Sequence, residues 1–289
     1  MSAVALVTGA GGQVGRAVAA SVPAGWSVRA LAHAELDITD ESAVARAVRE
    51  IRPALVVHGA AYTSVDKAEA ECELAERVNA HGAGAVARQA HAAGARMIHL
   101  STEMVFDGAR GAPYATDDAP SPISAYGRSK ANGERLVREG APRALVLRTA
   151  WVYDSSGRNF VRAILARLRE RDEVGVVADQ IGTPTWAAGL AAAIWRAAAL
   201  PDLSGVHHWT DAGVASWYDF AVAIREEALS AGVLERAGQV IPLRSEDYPL
   251  AAPRPACVVL DKNRSWPVLG TPPHWREQLR TMLRTEHVA

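Results

Sequence analysis

The chain has 289 residues, 49% of them hydrophobic and 22% charged, with a formal net charge of -1. That is enough apolar material for one large domain or for a domain with a smaller lobe. The near-neutral balance gives no footing for nucleic acid or an anionic membrane surface. Two cysteines, Cys72 and Cys257, exclude a disulfide framework and a cysteine-rich metal site, so reduced thiols in the cytoplasm are expected. No basic leader precedes the first apolar run and no stretch of about 18 apolar residues follows, so neither a signal peptide nor a membrane span is expected.

The first predicted strand, AVALVT, runs into TGAGGQVGR, where Gly9, Gly12 and Gly15 stand three apart at the start of a helix. A dinucleotide needs that arrangement. One glycine makes the tight turn, one lets backbone approach a pyrophosphate, and one seats the helix close to its strand. Gln13 and Val14, between the last two glycines, are therefore expected beside the cofactor. The second strand, WSVRALA, is followed by His33, where a carboxylate on the ribose 2′-hydroxyl would favour NAD; Glu35 and Asp37 come slightly later, and Arg16 could meet a 2′-phosphate. NADPH is the expectation and NADH the alternative. Asp37 and Ile38 are placed beside the adenine, against the competing reading of Asp37 as a helix-start residue.

Three more short apolar runs, ALVVHGAA, RMIHLST and RALVLRTAWVY, alternate with alanine-rich amphipathic stretches. Strand, helix, strand repeated in this way predicts an α/β fold whose mainly parallel sheet is covered on both faces. Ligands on such sheets bind at the carboxyl ends of the strands, where Thr8, Thr102 and Tyr153 are expected. After about residue 154 come a helix in SSGRNFVRAILARLRERDEV, a strand-like loop in VVADQIGTPTW, an apolar helix, a strand at GVHHWT and a proline-rich tail. The expected division is a dinucleotide-binding domain over 1–154 that also receives about 186–210. A smaller substrate-binding lobe over 155–185 and 211–289 would supply a lid.

AYGRSK puts Tyr126 and Lys130 four apart at a helix start, on one face. With Thr102 at the end of the fourth strand, the three converge beside a nicotinamide. Carbonyl reduction leaves charge on oxygen, so an acid must protonate it. A free tyrosine has a pKa near 10, and a nearby ammonium is expected to lower it toward neutrality. Thr102 would hold the carbonyl oxygen.

Taken in order, TGAGGQVG, GAAYTSVDKAE, LSTEMVFDG, AYGRSKANGE, LRTAWVYDSSGRNFV, DQIGTPTW and YPLAAPRP resemble the extended short-chain dehydrogenase/reductase group, and within it the dTDP-4-dehydrorhamnose reductases. The resemblance covers nearly the whole chain. It implies a Rossmann-type doubly wound sheet with a smaller C-terminal lobe. It also implies NAD(P)H-dependent reduction of the 4-keto group of a dTDP-linked 6-deoxy sugar, dTDP-4-dehydro-L-rhamnose first. Thr102, Tyr126 and Lys130 become the catalytic set, and Ala60 and Ala61 line the cofactor. Trp151 packs on the sugar, while Asn159 and Arg254 serve the diphosphate, for which an arginine fork is suited. No metal ligand is assigned, and a homodimer stays an open expectation. Where such proteins usually read S-T-D-Y-V-F-D-G, this chain has Glu103 and Met104, and after RP it has Ala256 and Cys257. Those departures make Glu103 and Met104 candidates for the substrate pocket. They also keep two alternatives in view: a 4-ketoreductase of another NDP-deoxysugar, and a non-catalytic subunit like the β subunit of methionine adenosyltransferase.

Overall fold

The computed structural model describes residues 2–285. Its centre is a six-stranded parallel sheet. Five of the strands are β1 (Ala3–Thr8), β2 (Trp26–Leu31), β3 (Leu55–His58), β4 (Arg96–Thr102) and β5 (Leu145–Thr149), and Gly205–His208 is the sixth. The order runs from Gly205–His208 through β5, β4, β3 and β1 to β2, every pair parallel. Alternate side chains feed two cores, as the period of two requires. Ala5, Val7, Leu55, Val57 and Ile98 meet Val18, Leu190 and Ile194 on one face. On the other, Leu6, Val56 and Met97 meet Val44, Val48, Val86 and Val137. With both faces buried, the strands read as continuous apolar runs.

A third core is built mainly from residues that follow the fifth strand. Val161, Ile164, Leu165 and Leu168 of one helix pack with Phe220 and Ile224 of another and with Leu279 and Met282 near the C-terminus. Beside them Glu173–Val177 pairs in parallel with Gln239–Leu243, a strand hidden in a polar, proline-bearing stretch of sequence. Tyr153 differs from expectation. The strand of the central sheet ends at Thr149, and Tyr153, four residues further on, ends a two-residue strand that pairs with Thr185–Trp186 outside that sheet, 1% exposed in this third core. In the tail, Val258 and Leu260 return to pack on Val105 and Phe106, beside the end of β4.

The Ala125–Gly140 helix lies so close to the Arg77–Gly82 segment that a Cβ on Gly133 would collide with the Asn79 carbonyl oxygen. A π turn over Arg77–Gly82 turns Asn79 inward. The Asn79 side chain accepts from the Tyr62 N–H at 2.8 Å and donates to the Tyr62 carbonyl at 3.0 Å and the Ser129 hydroxyl at 2.9 Å. Among the described residues no helix is long and apolar enough to cross a membrane, and both cysteines are free.

Candidate active site

The carboxyl ends of β1, β3, β4 and β5 open onto a cleft of about 740 Å³. On its floor Gly9 adopts φ +74°, and a Cβ there would lie 2.6 Å from the Ala60 nitrogen, so the β1 turn tolerates only glycine. Gly12 caps helix α1 (Gln13–Ala20), and a Cβ on Gly15 would collide with the Gly9 carbonyl. The first turn of α1 has no side-chain cap and no acidic residue, so its N–H groups are free for an anion. The Gln13 Oε1 and Thr149 Oγ1 atoms are buried without a partner at the same cleft. The glycine turn and the free N–H groups suit a dinucleotide pyrophosphate, whereas the Gln13 oxygen, an acceptor, suits a donor group on a ligand.

Opposite the glycines lies the end of β4. Thr102 caps a short turn over Glu103–Val105, its hydroxyl oxygen accepting from the Met104 N–H at 3.2 Å. Ser124 caps the Ala125–Gly140 helix, and Gly127 lets that helix press onto the turn, since a Cβ there would collide with the Met104 carbonyl. Tyr126 and Lys130 are thereby carried into the cleft beside Thr102, Glu103 and Met104. Lys130 is 3% exposed and donates from Nζ to the Leu100 carbonyl at 2.8 Å. Burial pulls its pKa down to about 8, with the charge of Glu134 opposing.

One expectation is reversed here. The pKa of Tyr126 is raised, not lowered: desolvation acts first, the Glu103 charge adds to it, and the Thr102 hydroxyl opposes only in part. The lysine ammonium is spent on the Leu100 carbonyl instead. Glu103, 6% exposed, is itself pushed up to about 7 by burial.

Behind the cleft lies a buried ion pair the sequence reading missed. Arg148 donates to Glu134 through Nε at 2.8 Å and Nη2 at 2.7 Å. The Ser101 hydroxyl donates to Glu134 at 2.5 Å, and the Arg148 guanidinium lies 4.9 Å over the Phe106 ring. A charged residue inside the apolar run LVLRT was the available signal.

Segments after the fifth strand supply the other wall, the lobe wall. Trp151 has φ +45°, a left-handed conformation rare outside glycine. Its ring stacks on Trp217 at 3.5 Å and 9°. A Cβ on Gly182 would lie 2.5 Å from the Trp151 ring, so a glycine is needed behind it. Trp217 and Gln180 line the cleft and were not singled out from sequence; the Ser216–Asp219 capping box that starts the Trp217 helix was a readable signal. Arg254 also lines the cleft, its guanidinium paired with Asp66 at 2.8 Å. Together with Gln180 and Trp217 it borders a second hollow of about 280 Å³, walled by Phe160, Tyr248 and Leu250.

Some expected residues are elsewhere. Asn159 caps the Phe160–Glu170 helix, accepting from the Arg162 N–H at 3.1 Å and donating to the Asp154 carbonyl at 2.7 Å. Asp37 is outside the cleft lining and bonds the Thr39 N–H at 2.9 Å and the Thr39 hydroxyl at 2.8 Å, while Asp40 is the actual helix cap. Ile38 is buried against Gly82. Ala61 lines the cleft, whereas Ala60 meets the glycine turn through its backbone. Val14 lines the cleft with Gln13. Arg16 donates to the Gly11 and Ser156 carbonyls, which ties the glycine turn to the lobe.

A six-stranded parallel sheet with helices between its strands and a glycine turn at its first crossover defines a Rossmann-type protein. The chain matches the RmlD substrate binding domain family over residues 3–288 and belongs to it. It is 38% identical over 285 residues to a dTDP-4-dehydrorhamnose reductase of Aggregatibacter actinomycetemcomitans, covering 96% of this chain and 97% of that one. It is 40% identical over 294 residues to a Streptomyces antibioticus protein named "probable dTDP-4,6-dihydroxy-2-methyloxan-3-one 4-ketoreductase", covering 98% and 96%. In structure it is similar to a dTDP-4-dehydrorhamnose reductase of Bacillus anthracis crystallised with NADP, with a TM-score of 0.91, 36% identity, and 98% and 99% coverage.

Proposed function

We propose that this chain reduces the 4-keto group of a dTDP-linked 6-deoxy sugar, dTDP-4-dehydro-L-rhamnose in the first instance, with NADPH as reductant. The observation that carries the reading is the meeting of Thr102, Tyr126 and Lys130 in one cleft, across from a glycine turn fitted to a dinucleotide. NADPH is favoured because the two carboxylates after β2 are already engaged: Glu35 accepts from the Ala32 N–H at 2.9 Å, and Asp37 from Thr39. The Bacillus anthracis relative crystallised with NADP supports the same choice.

Bound NADPH supplies the hydride to the carbonyl carbon. Thr102 orients the carbonyl oxygen. The Tyr126 Oη holds its proton firmly, the state needed to protonate an alkoxide. Lys130, lining the same cleft and fixed on the Leu100 carbonyl, adds a buried positive charge to the pocket in which the negative charge develops. Trp151 forms a flat wall for the sugar, and Arg254 faces the diphosphate. Asn159, committed to its cap, takes no part. The division into a cofactor domain (1–154 with about 186–210) and a substrate lobe belongs to the same proposal. The homodimer rests on resemblance alone, and light scattering on purified protein tests it.

Purified protein should oxidise NADPH when given dTDP-4-dehydro-L-rhamnose. Tyr126→Phe should lose at least about a hundredfold in kcat, the lower range of general-acid contributions, while NADPH affinity stays the same. No NADPH oxidation with any dTDP-4-keto sugar would sink the reading. A second reading, a 4-ketoreductase of another dTDP-deoxysugar, draws on the Streptomyces antibioticus relative and on Glu103, Met104, Ala256 and Cys257. A panel of dTDP-4-keto-6-deoxysugars, ranked by kcat/KM, separates the two.

A further inference from the structure

The reaction proposed above asks Thr102 to donate its hydroxyl proton to the substrate carbonyl, yet the structure gives that proton another destination. The Thr102 Oγ1 atom donates to Oε2 of Glu103 at 2.7 Å and accepts from the Met104 N–H at 3.2 Å. A threonine hydroxyl has one proton. While Glu103 is a carboxylate it can only accept, so it holds that proton and leaves Thr102 facing the cleft with lone pairs. A protonated Glu103 reverses the bond. Its own O–H donates to Oγ1, and the threonine proton is free to swing toward the cleft, which both residues line.

We propose that Glu103 is a proton switch on Thr102, supporting reduction when protonated and withdrawing the substrate's hydrogen-bond donor when ionised. The inference deepens the reductase reading and rests on it for its catalytic consequence.

The surroundings favour such a switch. Glu103 is 6% exposed, and none of the ion pairs formed among the described residues includes it. Facing it are the Thr102 hydroxyl on β4, its own backbone N–H, and one titratable group, Tyr126 on the Ala125–Gly140 helix. Lys130 points its ammonium at the Leu100 carbonyl. The next segment of the turn offers apolar Val105, packed with Phe106, Tyr114, Val258 and Leu260. Burial without a cation leaves the proton in play near neutral pH. An ionised Glu103 also acts in the same direction through space, since its charge opposes the negative charge that builds on the substrate oxygen beside Tyr126.

The test is the pH profile of kcat/KM for wild type and Glu103→Gln. A glutamine amide donates to Oγ1 at every pH and imitates the protonated acid. Wild type should fall about tenfold per pH unit above a midpoint near 7, and the variant should lose that limb and keep only the later one belonging to Lys130 near 8. An unchanged midpoint in Glu103→Gln overturns the proposal, as does a variant inactive across the whole range. Infrared titration reads the switch without turnover. A carboxylic-acid carbonyl band should disappear with a midpoint near 7 in wild type and be missing from the same window in Glu103→Gln, leaving only the band of Asp211, which burial also pushes up to about 7. Identical band changes in both proteins would overturn the switch. A confirmed band with no NADPH oxidation for any sugar would instead count against the reductase reading alone.

Discussion

The two walls of the cleft are built on different principles. The sheet wall comes from three short segments, around Gly9, Thr102 and Tyr126, each fixed by backbone. Glycines admit contacts a Cβ would block, strand ends set the height, and a buried Glu134–Arg148 pair backs the helix that carries Lys130. The lobe wall gathers Trp151, Gln180, Trp217 and Arg254 from distant segments. It is held by ring stacking and by an ion pair whose side chains stay 20% and 42% exposed. In the proposed reaction, the chemistry falls to parts with little room to adjust and recognition to parts that can repack.

The largest effect should come from breaking the support behind the sheet wall. Arg148→Met leaves Glu134 buried with Ser101 as its remaining donor, and removing one partner of such a pair costs about 3–5 kcal/mol. Urea unfolding should show it, and a Glu134→Leu/Arg148→Met double variant should recover most of the loss. Full loss retained in the double variant would mean that shape, not charge, sets the cost.

A second effect of similar kind follows from Glu103. Its pKa rises from 4.5 to about 7 on folding, so between those values the folded state binds the extra proton and the unfolded state does not. Stability from this group is therefore greatest below about pH 4.5, falls as pH rises through that window, and reaches a loss of about 3 kcal/mol above it. Glu103→Gln should flatten this part of the curve, so its stability gain over wild type should grow from pH 5 to pH 8. An equal difference at both pH values would contradict the raised pKa.

What the sequence made legible follows the same division. Gly9, Gly12, Gly15, Tyr126 and Lys130 are local patterns next to strands with a clear period, so one pass along the chain finds them. Trp217 follows a readable capping box and Gln180 lies in the DQIGTPTW motif, but that either side chain reaches the cleft is decided by tertiary packing, which local spacing does not encode. Asn159 looked like a ligand residue but is a helix cap, a role the following FVRAIL run could have announced. Gln239–Leu243 was missed as a strand because its partner lies more than sixty residues away and its burial is partial. The direction of the Tyr126 shift depended on desolvation and on Glu103, which no spacing rule encodes.

On the lobe wall the expected effects are smaller and fall on binding. Trp217→Ala removes the partner of Trp151 in a stack worth about 0.5–1.5 kcal/mol beyond its buried area. The KM for the nucleotide sugar should rise about tenfold, with kcat and NADPH affinity within about twofold. A fall in NADPH affinity of the same size would place the stack on the cofactor side instead.

The smallest effect should come from Met104→Tyr, which installs the tyrosine that the family resemblance leads one to expect at this position. The change exchanges a flexible thioether for a ring with a hydroxyl at the edge of the cleft. A change of that scale in a pocket is worth about 1–3 kcal/mol between competing substrates, and at a half-buried edge position the lower end applies. The ratio of kcat/KM between dTDP-4-dehydro-L-rhamnose and a second dTDP-4-keto-6-deoxysugar should therefore move by about tenfold or less. The chemistry should stay as it was, because Met104 reaches Thr102 through its backbone N–H, which the substitution keeps. The pH midpoint attributed to Glu103 should therefore be the same in Met104→Tyr as in wild type. A moved ratio with an unmoved midpoint would separate sugar choice from proton control within two adjacent residues. An unmoved ratio would place sugar selection wholly on the lobe wall.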